Sequence, residues 1–199
     1  MIEISKINKS NPYDCFVEFY NIALKNNQSN IEAIAISSFD NKKNIVDSRF
    51  VNLKYIIDEN WHFFSNYKSS KASQFLNHPQ VSLLIYWNTV NLQIRMKANI
   101  KKSEAKFSDS HFLKRSASKN ALAISSRQSN KIISYEEVEM NYDNILNSNS
   151  DLSIRPDYWG GYSFTPYYFE FWKGNKFRLN KRDVYEMIEG NWSHSILQP

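Results

Sequence analysis

The stretch SRFVNLK, residues 48–54, has the apolar content of a β-strand but carries a cation near each end. Arg49 and Lys54 are residues that a buried strand seldom contains. A further cation, Lys71, closes the segment SSK seventeen residues after Lys54. Taken alone, these cations are most simply interpreted as solvated strand ends, since Lys and Arg are mostly exposed. The alternative is that the strand lines a site for an anion.

The composition is that of one globular domain. The chain has 199 residues, 42% of them hydrophobic and 15% aromatic, which is enough to bury a substantial core. Four glycines exclude a low-complexity or fibrous chain. The formal charge of +5 suits an anionic ligand as well as nucleic acid. We see no domain boundary or internal repeat and predict a single domain over residues 1–199.

Cysteine usage and hydropathy predict a cytoplasmic protein. Cys15 is the single cysteine, so no internal disulfide can form and no CxxC motif can bind a structural metal. No apolar run approaches membrane-spanning length, and the first residues lack the apolar core of a signal peptide. The four histidines lack metal-ligand spacing. We therefore expect neither a bound metal nor a membrane partner.

Hydrophobic periodicity predicts an α+β protein built on a barrel of antiparallel strands. Residues 12–26 should form a helix, because Phe16, Tyr20 and Leu24 form an apolar stripe. Apolar runs bounded by polar turns indicate strands at 31–40, 48–57, 61–66, 81–87, 92–100, 158–164, 167–174 and 192–197. Further helices are expected over 69–79, 103–125 and 135–147.

A bound phosphate would have to be held by side chains. The chain has no GxGxxG motif, and two of its four glycines are adjacent, at 160 and 161. The candidates are Arg49, with its planar fork of donors, and the compact cations Lys54 and Lys71. SSK opens a predicted helix, whose free N–H groups would add to an anion site.

Eight segments occur in one order along the chain: SRFVNLK, FFSNYKSSKA, HPQVSLLIYW, LQIRMKANIKK, SSRQS, YWGGYSF, EFWKGNKFRLNKR and the terminal NW…LQP. Their order and spacing resemble the pyridoxamine 5'-phosphate oxidase family, FMN enzymes that make pyridoxal phosphate. EFWKG…RL and SRQS are the most distinctive segments. The resemblance runs from Pro12 to Pro199. It implies an FMN-binding split β-barrel with flanking helices, working as a homodimer with FMN at the interface.

The resemblance also implies a flavin site assembled from distant segments. Arg49 would face the FMN phosphate, and Lys54 the substrate. Ser70 stands where the family often has Arg. The implied flavin-binding residues are Arg49, Phe50, Val51, Asn52, Leu53, Lys54, Phe64, Ser65, Ser69, Ser70, Lys71, Gln93, Gln128, Ser129, Trp172 and Arg182.

The implied substrate pocket departs from the family pattern. The family binds the substrate phosphate through Lys, Tyr, Arg and Ser, where this chain has Lys54, His111, Arg115 and Lys119. An anionic substrate group is still expected, because the replacements donate hydrogen bonds and Lys119 adds charge.

The segment nearest the reacting carbon departs as well. The family sequence RLHDR is RLNKR here, which keeps Arg178 and replaces His by Asn180. Ile196 stands where the family has Arg before L-x-P. The resemblance implies that Arg178 and Asn180 are the catalytic residues and that both contact the substrate. Asn180 could hydrogen-bond a ring oxygen, but it cannot carry a proton as His can.

Several of these residues have a simpler explanation. Trp172 could be a core aromatic, and Gln128 and Ser129 could be polar residues that end a helix. Arg182 lies in a cationic segment, 173–182, that by itself would suggest RNA. No RNA-binding signature accompanies that segment, so we do not expect a nucleic-acid partner.

The activity implied by the resemblance is oxidation of pyridoxamine or pyridoxine 5'-phosphate. A hydride would pass from C4' of the substrate to flavin N5, and oxygen would reoxidise the flavin with release of hydrogen peroxide. Two alternatives stay open. One is a paralogue that oxidises another reduced aromatic compound, as related phenazine-pathway flavoenzymes do. The other is a flavin-binding protein without turnover.

Overall fold

The computed structural model describes residues 1–7, 9 and 11–199. Its strands are β1 (Glu3–Ser5), β2 (Ala33–Asp40), β3 (Ile45–Asn52), β4 (Tyr55–Ile57), β5 (Asn60–Asn66), β6 (Gln80–Trp87), β7 (Leu92–Lys102), β8 (Trp159–Lys173), β9 (Lys181–Ile188) and β10 (Asn191–Ile196). Its helices are α1 (Asn11–Lys25), α2 (Ser70–Asn77), α3 (Ala105–Leu113), α4 (Ala117–Ser125) and α5 (Tyr135–Leu146), with a 3-10 turn at Asn88–Val90. The predicted α+β class is confirmed.

All ten strands belong to one sheet. Its order is β1-β4-β5-β8-β7-β6-β2-β3, with β9 paired to β8 and β10 paired to β9. Every pair is antiparallel except β1–β4. The 15-residue β8 pairs with β5 through its first half and with β9 through its second half. Each half of β8 therefore serves a different part of the sheet.

The core lies between the sheet and α1. Strand β6 alternates exposed and buried residues along its whole length, as a strand with one covered face should. The ring of Phe16 in α1 lies 4.4 Å from Trp61 and 5.7 Å from Trp87, and Phe16 is fully buried. These aromatic contacts fix α1 against the sheet. The helix predicted over 12–26 is thus confirmed within one residue at each end.

The single strand predicted over 48–57 is wrong, because β3 ends at Asn52 and β4 begins at Tyr55. Between them, the N–H of Leu53 donates to the carbonyl of Glu32, and the N–H of Lys54 donates to that of His62. The chain thus leaves its pairing with β2 and begins to pair with β5 within two residues. This switch joins the two margins of the sheet.

Two further predictions need correction. The segments 158–164 and 167–174 are one strand, β8, which runs through Pro166. Its register with β7 shifts between Lys97 and Ala98, so a bulge accommodates the residue that has no N–H to donate. The helical segment predicted over 103–125 is divided into α3 and α4. Among the described helices, none is long and apolar enough to cross a membrane.

Candidate active site

The end of β5, the start of α2 and the loop after α4 meet in one cluster. The Lys71 ammonium and the Ser65 hydroxyl each donate to Oε1 of Gln128, both at 3.1 Å. The N–H of Ser70, the first residue of α2, lies 3.4 Å from the Ser129 hydroxyl. We call these five residues the α2 cluster. All five were predicted to bind flavin, although they come from segments about sixty residues apart in the sequence.

Arg49 lies beside the α2 cluster on β3. Its guanidinium donates to the Ser38 hydroxyl at 2.6 Å and to Oε1 of Gln74 at 3.0 Å, and lies 3.7 Å from the Asp47 carboxylate. The Gln74 amide in turn donates to Asp47 at 2.6 Å. Burial lowers the pKa of Arg49, and Asp47 opposes that effect. The network fixes the guanidinium in one orientation.

Lys71 is a partly buried cation without an anion. Burial, and then the positive charge of Arg49, lower its pKa to about 8. Among the residues that the structure describes, no carboxylate forms an ion pair with it. An unpaired buried charge is costly, and a bound anion would remove that cost. With the N–H of Ser70, whose contact with the Ser129 hydroxyl is long at 3.4 Å, the cluster has the donors that a phosphate requires.

The other predicted residues of the strand stretch point in different directions. The Phe50 side chain is 75% exposed, whereas that of Leu53 is 1% exposed and packs in the core. Val51 packs against the same core, and Asn52 is exposed. Ser69 is buried, with its hydroxyl donating to the carbonyl of Asn66.

A second cluster surrounds His111 in the last turn of α3. Its ring stacks on Phe64 with a centroid distance of 3.7 Å and an interplanar angle of 10°. Burial, and then the positive charges of four neighbouring residues, lower the pKa of His111 to about 4; these residues are Arg115, Lys54, Lys114 and Lys119. We call Lys54, Phe64, His111, Arg115 and Lys119 the His111 cluster. It contains all four residues predicted to bind the substrate phosphate.

Arg115 lies in the connection between α3 and α4, and hydrogen bonds to α4 hold its guanidinium. Its Nε donates to Oδ1 of Asn120 at 2.9 Å, and its Nη2 donates to the carbonyl of Lys119 at 2.7 Å. The guanidinium also lies 4.5 Å from the centre of the Trp159 ring, which stacks on Phe64. Burial lowers the pKa of Arg115. Its charge is therefore fixed close to the aromatic stack.

Gly161 allows β8 to approach this stack. It pairs with Phe64 of β5, and a Cβ at this position would lie 2.8 Å from the Ser103 hydroxyl and 3.2 Å from the Phe64 ring. A side chain here would displace Ser103 and press against the Phe64 ring. The adjacent glycines noted in the sequence therefore serve close packing and not phosphate binding by a loop.

The remaining predicted residues form a third cluster, which we call the β9 cluster: Gln93, Trp172, Arg178, Asn180 and Arg182. Gln93, Trp172 and Arg182 are aligned across β7, β8 and β9. Arg182 is bound to the carboxylate of Glu170, whose side chain is 1% exposed and also accepts from Arg95 and Tyr168 at 2.8 and 3.0 Å. In this chain Arg182 thus lies apart from Lys71, although the resemblance implied that both bind the flavin.

Arg178 and Asn180 occupy the loop between β8 and β9. Oδ1 of Asn180 accepts from the N–H of Asn175 at 3.0 Å, and Oδ1 of Asn175 accepts from the N–H of Phe177 at 2.9 Å. Arg178 has a positive φ of 60° and an exposed side chain. The Asn180 side chain therefore closes the loop that presents Arg178.

The clusters lie at opposite ends of β8. Phe64 pairs with Gly161, whereas Gln93 pairs with Trp172, eleven residues further along the strand. At about 3.3 Å per residue, that separation is up to roughly 36 Å along the strand. The α2 and His111 clusters therefore share one end, and the β9 cluster occupies the other.

Two family models match this chain. Residues 25–149 match the family model described as pyridoxamine 5'-phosphate oxidase. Residues 159–199 match the model described as the pyridoxine 5'-phosphate oxidase C-terminal dimerisation region. The chain belongs to the pyridoxamine 5'-phosphate oxidase family. As a member of this family it is a flavin-dependent oxidoreductase.

Curated relatives in this oxidase family cover almost the whole chain. The pyridoxine/pyridoxamine 5'-phosphate oxidase of Legionella pneumophila (strain Lens) is 31% identical over 192 residues, which is 96% of this chain and 89% of that protein. The protein of the same name from Acinetobacter baumannii (strain AYE) is 31% identical over 195 residues, 96% of this chain and 88% of its own.

Solved structures show the same split-barrel fold. PhzG from Burkholderia lata, solved with tetrahydrophenazine-1-carboxylic acid, has a TM-score of 0.90 at 22% identity and covers 98% of this chain and 100% of its own. A pyridoxamine 5'-phosphate oxidase-related, FMN-binding protein from Nostoc punctiforme has a TM-score of 0.78 at 12% identity, covering 96% and 99%. The predicted split barrel is confirmed.

Two residues of the candidate site were missed by the sequence analysis. Tyr55 donates to or accepts from Nδ1 of His111 at 2.8 Å, and Glu170 binds Arg182. Glu170 carried one signal, since it is an acid between two aromatic residues, Phe169 and Phe171, on a predicted strand. Tyr55 carried none, because a tyrosine that follows a strand cation is unremarkable in a sequence this rich in aromatic residues.

Proposed function

We propose that this protein is an FMN-dependent oxidase that converts pyridoxamine or pyridoxine 5'-phosphate to pyridoxal 5'-phosphate, with oxygen as acceptor and hydrogen peroxide as by-product. The observation that carries the proposal is the unpaired, partly buried Lys71 beside Arg49 at the start of α2. In a member of a flavin-dependent family, this arrangement supports a phosphorylated flavin over riboflavin. The single Cys15 supports a cytoplasmic location.

The residues present fit FMN. Arg49, Lys71 and the N–H of Ser70 would bind its phosphate, and Ser65 and Gln128 would contact the flavin nearby. When bound, the flavin supplies hydride acceptance and the reaction with oxygen. The protein supplies orientation and electrostatics, through cations that are already fixed before the ligand arrives.

The substrate phosphate would be bound by the His111 cluster. Three of its members are cations, and Arg115 is held by two hydrogen bonds and the Trp159 ring. The aromatic stack of Phe64, His111 and Trp159 is flat, with interplanar angles of 9–12°. Such a wall suits a planar aromatic substrate that carries an anionic group.

Arg178 and Asn180 would reach this substrate from a second copy of the chain. Within one chain they lie at the far end of β8, so a complete site requires a homodimer in which both copies of the interface are the same. Exposed apolar side chains on the outer face of β3 and β6, including Phe50 (75% exposed) and Tyr86 (56% exposed), support this assembly. Arg178 would then hold the substrate ring against the flavin.

A second candidate is oxidation of another reduced aromatic compound, of the type bound in the Burkholderia lata PhzG structure. The observation that favours it is the departure of the substrate pocket from the family pattern at His111, Lys119, Asn180 and Ile196. A carboxylate on a reduced ring would satisfy the same cations as a phosphate.

The test is peroxide release from purified, FMN-loaded protein. Candidate substrates are pyridoxine 5'-phosphate, pyridoxamine 5'-phosphate, their unphosphorylated forms and a dihydroaromatic carboxylic acid. We expect turnover with the phosphorylated vitamers and little with the unphosphorylated ones. Turnover with the carboxylic acid alone would favour the second candidate. If the protein binds FMN but releases no peroxide with any of these compounds, the result would favour a flavin-binding protein without turnover.

A further inference from the structure

Tyr55 contacts the histidine that distinguishes this substrate pocket. It is the first residue of β4 and is 8% exposed. Its hydroxyl lies 2.8 Å from Nδ1 of His111, and its ring packs edge-on against the His111 ring at 5.4 Å and 87°. Phe64 and Phe107 make similar edge contacts with the Tyr55 ring, at 6.1 and 5.2 Å. The hydroxyl therefore has a fixed position.

The His111 ring is fixed as well. Face-to-face stacking on Phe64 at 3.7 Å holds its plane, and the bond to Tyr55 selects which edge faces β4. Within the described part of the chain, Nε2 of His111 has no hydrogen-bond partner. It is also not among the fully buried unpaired atoms, so a ligand can reach it. One ring nitrogen is thus occupied by Tyr55, and the other is free for a ligand.

The imidazole is neutral at physiological pH, because burial and the surrounding cations hold its pKa at about 4. A neutral imidazole carries one N–H, and its position depends on the partner of the other nitrogen. Burial, and then Glu3, raise the pKa of Tyr55, so its hydroxyl keeps its proton. Among the described residues Nδ1 is the one group within hydrogen-bonding distance of that hydroxyl, so donation to Nδ1 is the arrangement that gives the hydroxyl proton an acceptor.

We infer that Tyr55 is a positioning residue, which keeps the His111 proton on Nε2 so that the ring offers an N–H to the anionic group of the substrate. The neutral imidazole then supplies the hydrogen bond that a tyrosine hydroxyl supplies in the family pattern. Arg115, Lys54 and Lys119 provide the charge. The anion, phosphate or carboxylate, rests on the proposed function, whereas the position of the proton does not.

The proton position is measurable without turnover. Long-range proton–nitrogen spectra of FMN-loaded protein with 15N-labelled histidine report each ring nitrogen, and His111→Gln identifies the signals of His111. We expect a protonated Nε2 and a bare Nδ1 in the wild type. In Tyr55→Phe the two nitrogens should move toward averaged values. A wild-type proton on Nδ1 overturns the inference.

Adding inorganic phosphate to the same samples, in which FMN already fills the flavin site, tests whether the Nε2 proton of His111 is donated to an anion. The Nε2 proton of His111 should shift on titration, and about three- to tenfold more phosphate should be needed in Tyr55→Phe. Tyr135→Phe, at a residue that is 85% exposed, is the matched control and should behave as wild type. An unresponsive Nε2 in the wild type removes the anion role even if the enzyme oxidises its substrate.

A double-mutant cycle separates positioning from packing. In His111→Tyr, which has no tautomer to select, adding Tyr55→Phe should leave KM unchanged. In the wild-type background the same change should raise KM about three- to tenfold with kcat nearly constant. Equal effects in both backgrounds would mean that Tyr55 acts through packing alone. If no variant turns over pyridoxine 5'-phosphate, the proposed substrate fails, and the spectra still decide the role of Tyr55.

Discussion

The two ends of β8 are built differently. At its first end, the α2 cluster is held together by hydrogen bonds and the His111 cluster by stacked rings, and Lys71 and Arg115 are held in place within one chain. At its second end, Arg178 sits at a positive φ in an exposed loop whose polar contacts are made by Asn175 and Asn180. The first end is prepared for a ligand. The second exposes the guanidinium of Arg178 at the surface.

The largest expected effect comes from placing one defect at each end. Lys54→Ala and Arg178→Ala should each abolish most oxidase activity. If one site takes the first end from one chain and the second end from its partner, co-expression of the two variants creates heterodimers with one intact site. Activity should recover to about a quarter of the wild-type value. Peroxide release measures it.

Absence of recovery, in a preparation that light scattering shows to be dimeric and mass spectrometry shows to be mixed, would place both ends in the same chain's site. Lys42→Ala, in the exposed turn between β2 and β3, is the matched control. Co-expressed with Arg178→Ala, it should give only the activity of the sites that keep Arg178. A monomer that still binds FMN tightly would contradict the assembly itself.

The substitution Lys71→Met tests whether the first end of β8 binds the FMN phosphate. Loss of a charge-assisted contact should weaken FMN binding about 10- to 100-fold, while riboflavin binding stays nearly constant. Fluorescence quenching of each flavin measures both affinities. In the wild type FMN should bind more tightly than riboflavin, because the phosphate pairs a cation that is otherwise unpaired. Equal wild-type affinities for the two flavins would contradict phosphate binding at this end of β8.

FMN affinity should also fall as the pH rises above about 8. Lys71 has a pKa of about 8 in the free protein, lowered by burial and by Arg49, so above that pH the free protein holds it neutral. A bound phosphate favours the charged form, so binding must then take up a proton, and the affinity drops by up to about tenfold per pH unit. Lys71→Met should be pH-independent between pH 7 and 9. The same dependence in the variant would assign it to another group.

A smaller effect is expected at the second end. Asn180→His should raise kcat with pyridoxamine 5'-phosphate a few-fold and change KM less, as a contact made mainly in the transition state does. Asn180→Asp keeps the acceptor for the N–H of Asn175 and is the control for loop closure. If neither wild type nor Asn180→His releases detectable peroxide with this substrate, pyridoxamine 5'-phosphate is not the substrate.

The order of motifs was enough to predict the family and the α+β class. It also proposed the candidate site residues, because a cofactor phosphate needs Arg and Lys wherever the chain brings them together, but it did not separate the two ends of β8. Tyr55 and Glu170 were missed for the opposite reason. Their roles depend on partners on other elements, 56 residues away for His111 and on the neighbouring strand for Arg182.

The stretch SRFVNLK separates what the sequence determines from what only the tertiary structure determines. Its residues alone indicate extended backbone and an anion-binding role for its cations. They do not show that the chain changes partner strand at Leu53 and Lys54, since any extended residue offers the same N–H group and the choice between Glu32 and His62 as acceptors is made by the packing of β2 and β5. Local residue types determine which chemistry is possible. Long-range strand pairing determines that Lys71 and Arg115 lie near one end of β8 and Arg178 lies at the other.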